Sequence, residues 1–179
     1  GKFGVLSFNG NKIITTGGGG AILTQDINLS KKARHLTTTA KVAHQWEYIH
    51  DKVGYNYRLP NLNAALGYAQ IKKLKKMLIN NRLLFKKYFK EFSTLDGVSV
   101  MCEPNHSKSN YWLQTLILKK NKKIKRNKIL SYNNKKGIKL RPSWKLMHSL
   151  QPYKNCPKMN LSNAENLSKS IINLPSSSF

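Results

Sequence analysis

The chain has 179 residues, of which 40% are apolar, and it carries 32 Lys and Arg against 7 Asp and Glu, a formal net charge of +25. That apolar share can bury a core, which argues against global disorder, and no apolar run reaches the roughly 18 residues of a spanning helix. No secretory leader pattern opens the sequence, and Cys102 and Cys156 lack CxxC spacing, so neither a disulfide framework nor a zinc site is expected and a reducing cytoplasm fits. The basic excess attracts phosphate, in nucleic acid or in a nucleotide ligand. Its concentration at 72–139, as lysine among asparagine and isoleucine, also fits drift on solvated faces.

In chain order, residues 4–24 read as short strands around turns. Val5, Leu6 and Phe8 lead into Asn9-Gly10-Asn11, a turn signal. Ile13-Ile14-Thr15-Thr16 is β-branched and predicts extended backbone. Four glycines at 17–20 break it, and Ala21 to Thr24 resume it. A short helix is predicted over 28–37. Residues 38–60 are irregular and rich in His and aromatic side chains, a pattern typical of functional or interfacial loops. Asn61 reads as an N-cap after Pro60, opening one long amphipathic helix to about 92. Leu62, Leu66, Ala69, Leu74 and Leu78 begin its apolar stripe. Asp96-Gly97 marks a turn. Beyond it come a strand candidate at 111–118, a basic helix at 122–135 and a strand at 137–141. Ser162-Asn163-Ala164-Glu165 has the S-x-x-E form of a capping box. The helix it opens would carry Leu167 and Ile171 and stop at Pro175. Two domains are expected, 1–75 and 76–179, joined by the long helix.

Lys12 is the chemically suggestive residue. A lysine of lowered pKa can form a Schiff base with a carbonyl, and a turn beside a stiff β-branched run would hold it still. By local pattern alone an exposed turn lysine is the commoner reading. The glycines allow close backbone approach or an anion nest, but neither a Walker A loop nor GxGxxG is present. There is no HExxH and no GxSxG, and seven acidic residues make a paired-carboxylate hydrolase improbable.

Three segments together carry a resemblance. LSFNGNKIITTGGGGAILT, VGYNYRLPNLNAALGYAQI and RPSWKLMHSLQPYKNCPKMNLSNAENLSKSIINLPSS resemble, in order, the three signatures of the DegT/DnrJ/EryC1/StrS sugar aminotransferases. Gly18 departs from the pattern, which more commonly has Glu there. The resemblance implies an α/β fold: the C-terminal part of a fold-type I PLP-dependent transferase. Residues 1–75 would be a remnant of the large PLP-binding α/β domain, and 76–179 a small α+β domain. It further implies a dimer with active sites built from both protomers.

Residue by residue, Lys12 matches the Schiff-base lysine that holds pyridoxal 5′-phosphate (PLP) and shuttles a proton. Ser7 matches the serine on the PLP phosphate, and Asn56 the asparagine that reaches the phosphate of the neighbouring protomer's PLP. His148 matches a histidine near the sugar nucleotide. Arg58 is suited to a diphosphate, with an ion pair or dimer contact as its alternative. The implied reaction is ping-pong transfer of an amino group, from glutamate, to the keto carbon of a nucleotide-linked 4-keto-6-deoxy sugar. The subgroup resembled is the legionaminic-acid branch of bacterial surface-glycan biosynthesis.

The family's pyridine-nitrogen Asp, ring-stacking aromatic and Gly-Thr phosphate loop all precede the lysine and are not among these residues. The sequence is therefore expected to be the C-terminal part of a longer polypeptide, unable by itself to bind PLP well. The alternatives are a basic nucleic-acid-binding module, suggested by charge and interleaved aromatics, and an inactive remnant. No membrane partner and no specific nucleic acid are expected.

Overall fold

The computed structural model describes residues 1–119 and 126–177. The chain divides into two compact units, Gly1–Lys75 and Lys76–Phe179.

In the first unit, β1 (Gly4–Ser7) and β2 (Gly20–Leu23) pair antiparallel, with Ser7 opposite Gly20 and Gly4 opposite Leu23. Helix α1 (Ile27–Thr37) follows. Asp26 is its N-cap: one carboxylate oxygen accepts from the N–H groups of Asn28 (2.8 Å) and Leu29 (3.0 Å), two donors that the helix cannot satisfy itself. Within the irregular segment lies a small antiparallel pair, β3 (Lys41–Val42) and β4 (Ile49–His50). Helix α2 spans Asn61–Ile71. Its N-cap is Pro60, without a side-chain cap bond, so Asn61 is the first helical residue and not the cap.

The long helix of the sequence reading is two helices, α2 and α3 (Leu74–Ser93). At the break the Lys73 N–H bonds to Gln70 O, three residues back, in a tightened turn. No residue there is a helix breaker, and nothing in the structure explains the break. Leu62, placed on the apolar stripe, is 85% exposed. Ile13 to Thr16 form no strand.

The second unit is a four-stranded antiparallel sheet covered by helices. Its strands are β5 (Val98–Val100), β6 (Gln114–Leu118), β7 (Arg141–Pro142) and β8 (Ile171–Leu174), in the order β5-β6-β8-β7. On β6, Gln114, Leu116 and Leu118 are buried and the residues between them half-buried, the period of two of a strand with one covered face. Leu116, Leu118, Leu140, Ile172 and Leu174 form the core with Val100. Phe85, Tyr88 and Phe92 of α3 pack on it, as do Ile129 and Leu130 of α4 (Arg126–Lys135). The predicted 122–135 helix is thus seen from Arg126; its first residues lie outside the described ones.

Two expectations fail here, each for its own reason. Residues 171–174 do not continue a helix: α5 is Ser162–Ser168, and β8 is an interior strand between β6 and β7. Ile171 and Leu167 fit a helical spacing, but pairing with β6 buries Ile172, Asn173 and Leu174 and overrides it. Nor is there a capping box. Ser162 is the first helical residue, its N–H bonds to Asn160 Oδ1 (3.0 Å), and Glu165 is engaged elsewhere. The strand expected at 137–141 reduces to β7.

A polar clasp ties α3 to the segment between β5 and β6. Arg82 binds Glu103 through two parallel bonds of 2.9 and 2.8 Å and also donates to Ser109 O at 2.7 Å, while Ser109 N–H donates to Glu103. Arg82 also lies over Tyr111, which stacks on Phe85. The bonds from Arg82, then from Ser109, hold the Glu103 carboxyl down at about 2, against an ordinary 4.5. A depressed folded-state value stabilises above the ordinary value, and that contribution is lost as pH falls toward the depressed one. Glu103→Gln is therefore expected to melt below the wild type at neutral pH, with the gap closing between pH 4.5 and 2. A gap that stays constant in thermal melts over that range would contradict this.

Candidate active site

Lys12 sits in the loop that β1 and β2 enclose, and hydrogen bonds to Phe8 close that loop. Phe8 N–H donates to Gly19 O at 2.9 Å. Phe8 O accepts from Thr16 N–H and from Thr15 Oγ1, each at 3.0 Å. Lys12 N–H bonds to Asn9 O at 3.0 Å, forming the turn that carries the half-buried lysine. The β-branched run is therefore a folded loop and not a strand: its backbone groups bond within the loop and to side chains of α2. Thr15 N–H donates to Gln70 Oε1 at 2.8 Å, and Asn63 Nδ2 donates to Thr16 O at 2.5 Å.

The glycine run serves this geometry unevenly. Gly19 has φ +135°, a conformation that favours glycine, and a Cβ there would lie 2.7 Å from Leu59 Cδ1, the movable end of a side chain. At Gly18 nothing lies within 4 Å, so the position where the family pattern commonly carries Glu has room for a side chain.

Ser7 ends β1 on the same hairpin and is exposed. Asn56 and Arg58 are exposed on a second element of the unit, the segment returning from β4 to α2. That segment is fixed against the end of α1: Asn56 bridges Thr38, Tyr55 N–H bonds to Leu36 O (2.7 Å) and Tyr57 N–H to Thr37 O (2.9 Å). The crossover there is strained, with Thr39 at φ 67° and Ala40 at φ 52°. Ala40 is wholly buried, and a Cβ at Gly54 would lie 2.5 Å from Ala40 N. His35 Nε2 bonds Asp51 Oδ1 at 2.6 Å across the segment's base; this bond, before other causes, lowers the Asp51 pKa. Leu59, next to Arg58, reaches Gly19, so the segment and the lysine hairpin are neighbours.

His148 belongs to the second unit. Its ring Nε2 lies 3.0 Å from Glu165 Oε1 of α5, and its side chain is 16% exposed. It lines an open, mainly apolar cavity of about 460 Å³ with Met147, Tyr153, Cys156 and Met159. The hairpin thus joins Lys12 to Ser7, and the 38–58 segment joins Asn56 to Arg58. The sequence reading gave no site role to Gln70 and Asn63. Their partners are backbone groups 55 and 47 residues away, and no local pattern signals that.

The donor set has a definite chemistry. A primary amine on a braced turn suits capture of an aldehyde. A hydroxyl and a carboxamide suit a phosphate. These are the attachment and phosphate ends of PLP, and the residues present fit them. The carboxylates of this unit are already engaged: Asp26 caps α1, Asp51 meets His35 and Glu47 lies 4.0 Å from His44.

The lysine hairpin and the Gly-Tyr-Asn-Tyr-Arg segment are the structural settings of two of the three signatures that carry the resemblance. The DegT/DnrJ/EryC1/StrS aminotransferase family model matches residues 1–178, and the chain belongs to that family. It is similar to the EpsN protein of Bacillus subtilis (strain 168), 39% identical over 149 residues, 83% of this chain and 38% of that one. It is similar to GDP-perosamine synthase of Vibrio cholerae, 33% identical over 179 residues, 98% of this chain and 48% of that one. The solved structure of Helicobacter pylori PseC, an aminotransferase involved in the biosynthesis of pseudoaminic acid, superimposes with a TM-score of 0.91 at 25% identity, covering 97% of this chain and 47% of that one. The chain spans about half the length, or less, of these relatives.

Proposed function

We propose that this chain supplies the lysine-bearing half of a PLP-dependent aminotransferase acting on a nucleotide-linked 4-keto-6-deoxy sugar, with glutamate as amino donor. The observation that carries the reading is the braced hairpin that presents Lys12 and Ser7 together, within a chain matched to the family from residue 1 to residue 178. PLP, the cofactor of this family, supplies the electron sink and carries the amino group between the two half-reactions. Lys12 holds the cofactor covalently and, once released, moves a proton at the reacting carbon. Ser7 and Asn56 donate hydrogen bonds to the cofactor phosphate, Asn56 toward a second protomer's site. Arg58 binds the substrate diphosphate. His148, bonded to Glu165, is assigned to the sugar nucleotide through the sequence resemblance alone. Glutamate gives up its amino group and takes an oxygen from water to leave as 2-oxoglutarate, and the sugar's keto oxygen leaves as water in the second half-reaction, so no net water is consumed.

A homodimer with shared sites is part of the same proposal. The first unit buries only Ala40 and Thr16 among its described residues, while Trp46, Tyr48, Val53, Tyr57 and Leu62 are each more than 70% exposed. Such apolar surface calls for cover, by the remainder of the large domain of which residues 1–75 are read as a part, by a second protomer, or by both; the dimer itself enters through the sequence resemblance. The legionaminic-acid branch and a cytoplasmic setting belong to the proposal through the sequence resemblance.

The test is amino transfer by the product of the complete reading frame. Glutamate and PLP are supplied with GDP-, UDP- or dTDP-linked 4-keto-6-deoxy sugars, and 2-oxoglutarate is measured. Turnover with at least one nucleotide sugar and none with the free sugar is expected; no turnover with any of them would contradict the reading. Ser7→Ala and Asn56→Ala are each expected to weaken PLP affinity roughly 10- to 100-fold, the worth of one charge-assisted bond. Spectroscopic titration with PLP checks this, and unchanged affinity in both variants would remove them from the site.

A further inference from the structure

We infer that Gln70 and Asn63 are positioning residues for Lys12, acting through the Thr15–Thr16 backbone; this rests on the reading of Lys12 as the PLP-attachment lysine. Asn63, Gly67 and Gln70 recur at i, i+4 and i+7 on α2, one face of the helix. All three meet the loop. Gln70 accepts from Thr15 N–H and Asn63 donates to Thr16 O. A Cβ at Gly67 would lie 2.7 Å from Thr16 Cγ2, so the glycine lets the threonine seat against the helix. Thr16 is 3% exposed.

From the other side Phe8 O holds the same two residues, through Thr16 N–H and Thr15 Oγ1. The peptide that closes the lysine loop is thus gripped by a strand end and by a helix. A lysine stem is long and freely rotating, and a group that must return to one carbon needs its backbone fixed closely. The two amides work in opposite senses, one as acceptor and one as donor, and that asymmetry makes the inference testable.

Gln70→Glu keeps an acceptor at the same reach. Gln70→Leu removes it. Asn63→Asp replaces the donor by an oxygen facing Thr16 O. All three are made in the product of the complete reading frame. Hydrogen exchange is followed over residues 9–16 in the cofactor-free protein, with residues 114–118 as an internal control. In the PLP-loaded protein, the pH midpoint of the visible absorbance of lysine-bound cofactor is recorded. Gln70→Leu and Asn63→Asp are expected to speed exchange over 9–16 roughly tenfold, to leave 114–118 unchanged, and to shift the absorbance midpoint. Gln70→Glu is expected to match the wild type in exchange; its added negative charge confines that comparison to the cofactor-free protein.

Wild-type exchange in Gln70→Leu, or equal damage from Gln70→Glu and Gln70→Leu, would overturn the inference. Faster exchange over 9–16 and 114–118 alike in both Gln70→Leu and Asn63→Asp would also overturn it, because the role would then be global. Attachment of PLP to a different lysine would overturn the reading of Lys12, while exchange in the cofactor-free protein still judges the brace by itself.

Discussion

Replacing Lys12 with alanine is expected to lower the rate of amino transfer by roughly 10²- to 10⁴-fold, the usual worth of a positioned proton carrier, and to abolish covalent retention of PLP. Lys12→Arg should do no better, because a guanidinium stays protonated and cannot condense with an aldehyde. A small primary amine in the buffer is expected to restore part of the rate to Lys12→Ala but none to Lys12→Arg, whose side chain fills the space. The measurement is steady-state 2-oxoglutarate release, with PLP retention after gel filtration. A Lys12→Ala enzyme within a few fold of wild type would show that the lysine is only a turn residue, the reading that its local sequence favours. Folding should be intact in both variants, because Lys12 is half-buried on a loop whose bonds to Phe8 are made by Thr15, Thr16 and Gly19.

Ile172→Ala is expected to destabilise the chain by about 2–5 kcal/mol. Ile172 is 1% exposed, faces Leu116 on β6 and Pro142 on β7, and belongs to the core cluster. Truncation loses burial and leaves a cavity where two flanking strands limit collapse. A typical domain has only about 5–15 kcal/mol in total, so the variant should unfold at a much lower urea concentration. Ile172→Val, one methylene smaller, should cost about 1 kcal/mol. Urea midpoints compared at unchanged slope check both. A shift below about 0.5 kcal/mol for the alanine variant, the range of ordinary surface substitutions, would mean that β8 does not hold the core.

β8 is not visible as a strand in its own residues. Leu167 and Ile171 are four apart, and Pro175 stops whatever precedes it, so local pattern favours one helix through both. What decides is β6, more than fifty residues earlier in the sequence, whose alternating face needs a partner. Ile13 to Thr16 err the other way: β-branching predicts extension, but the bonds to Phe8 O and to the α2 side chains fold the run into a loop. α1 was legible from its own residues, although its cap, Asp26, was not singled out. Nothing in 61–92 announced the break between α2 and α3.

The candidate site divides in the same manner. Lys12, Ser7, Asn56 and Arg58 could be named because they fall in short contiguous signatures. Gln70 and Asn63 could not, because an amide in a helix signals nothing until its distant backbone partner is known. His148 was legible only in part. Its place in a signature is visible in the sequence, but its bond to Glu165 replaces the capping role that the S-x-x-E pattern suggested for that glutamate.

The central claim is that Lys12 carries the cofactor. The most direct measurement is borohydride reduction of the PLP-loaded product of the complete reading frame, followed by proteolysis and mass spectrometry. The account predicts a phosphopyridoxyl group on the peptide containing Lys12, near one per chain, and none on the lysines of 72–139. Attachment spread over those lysines, or absent from Lys12, would contradict it.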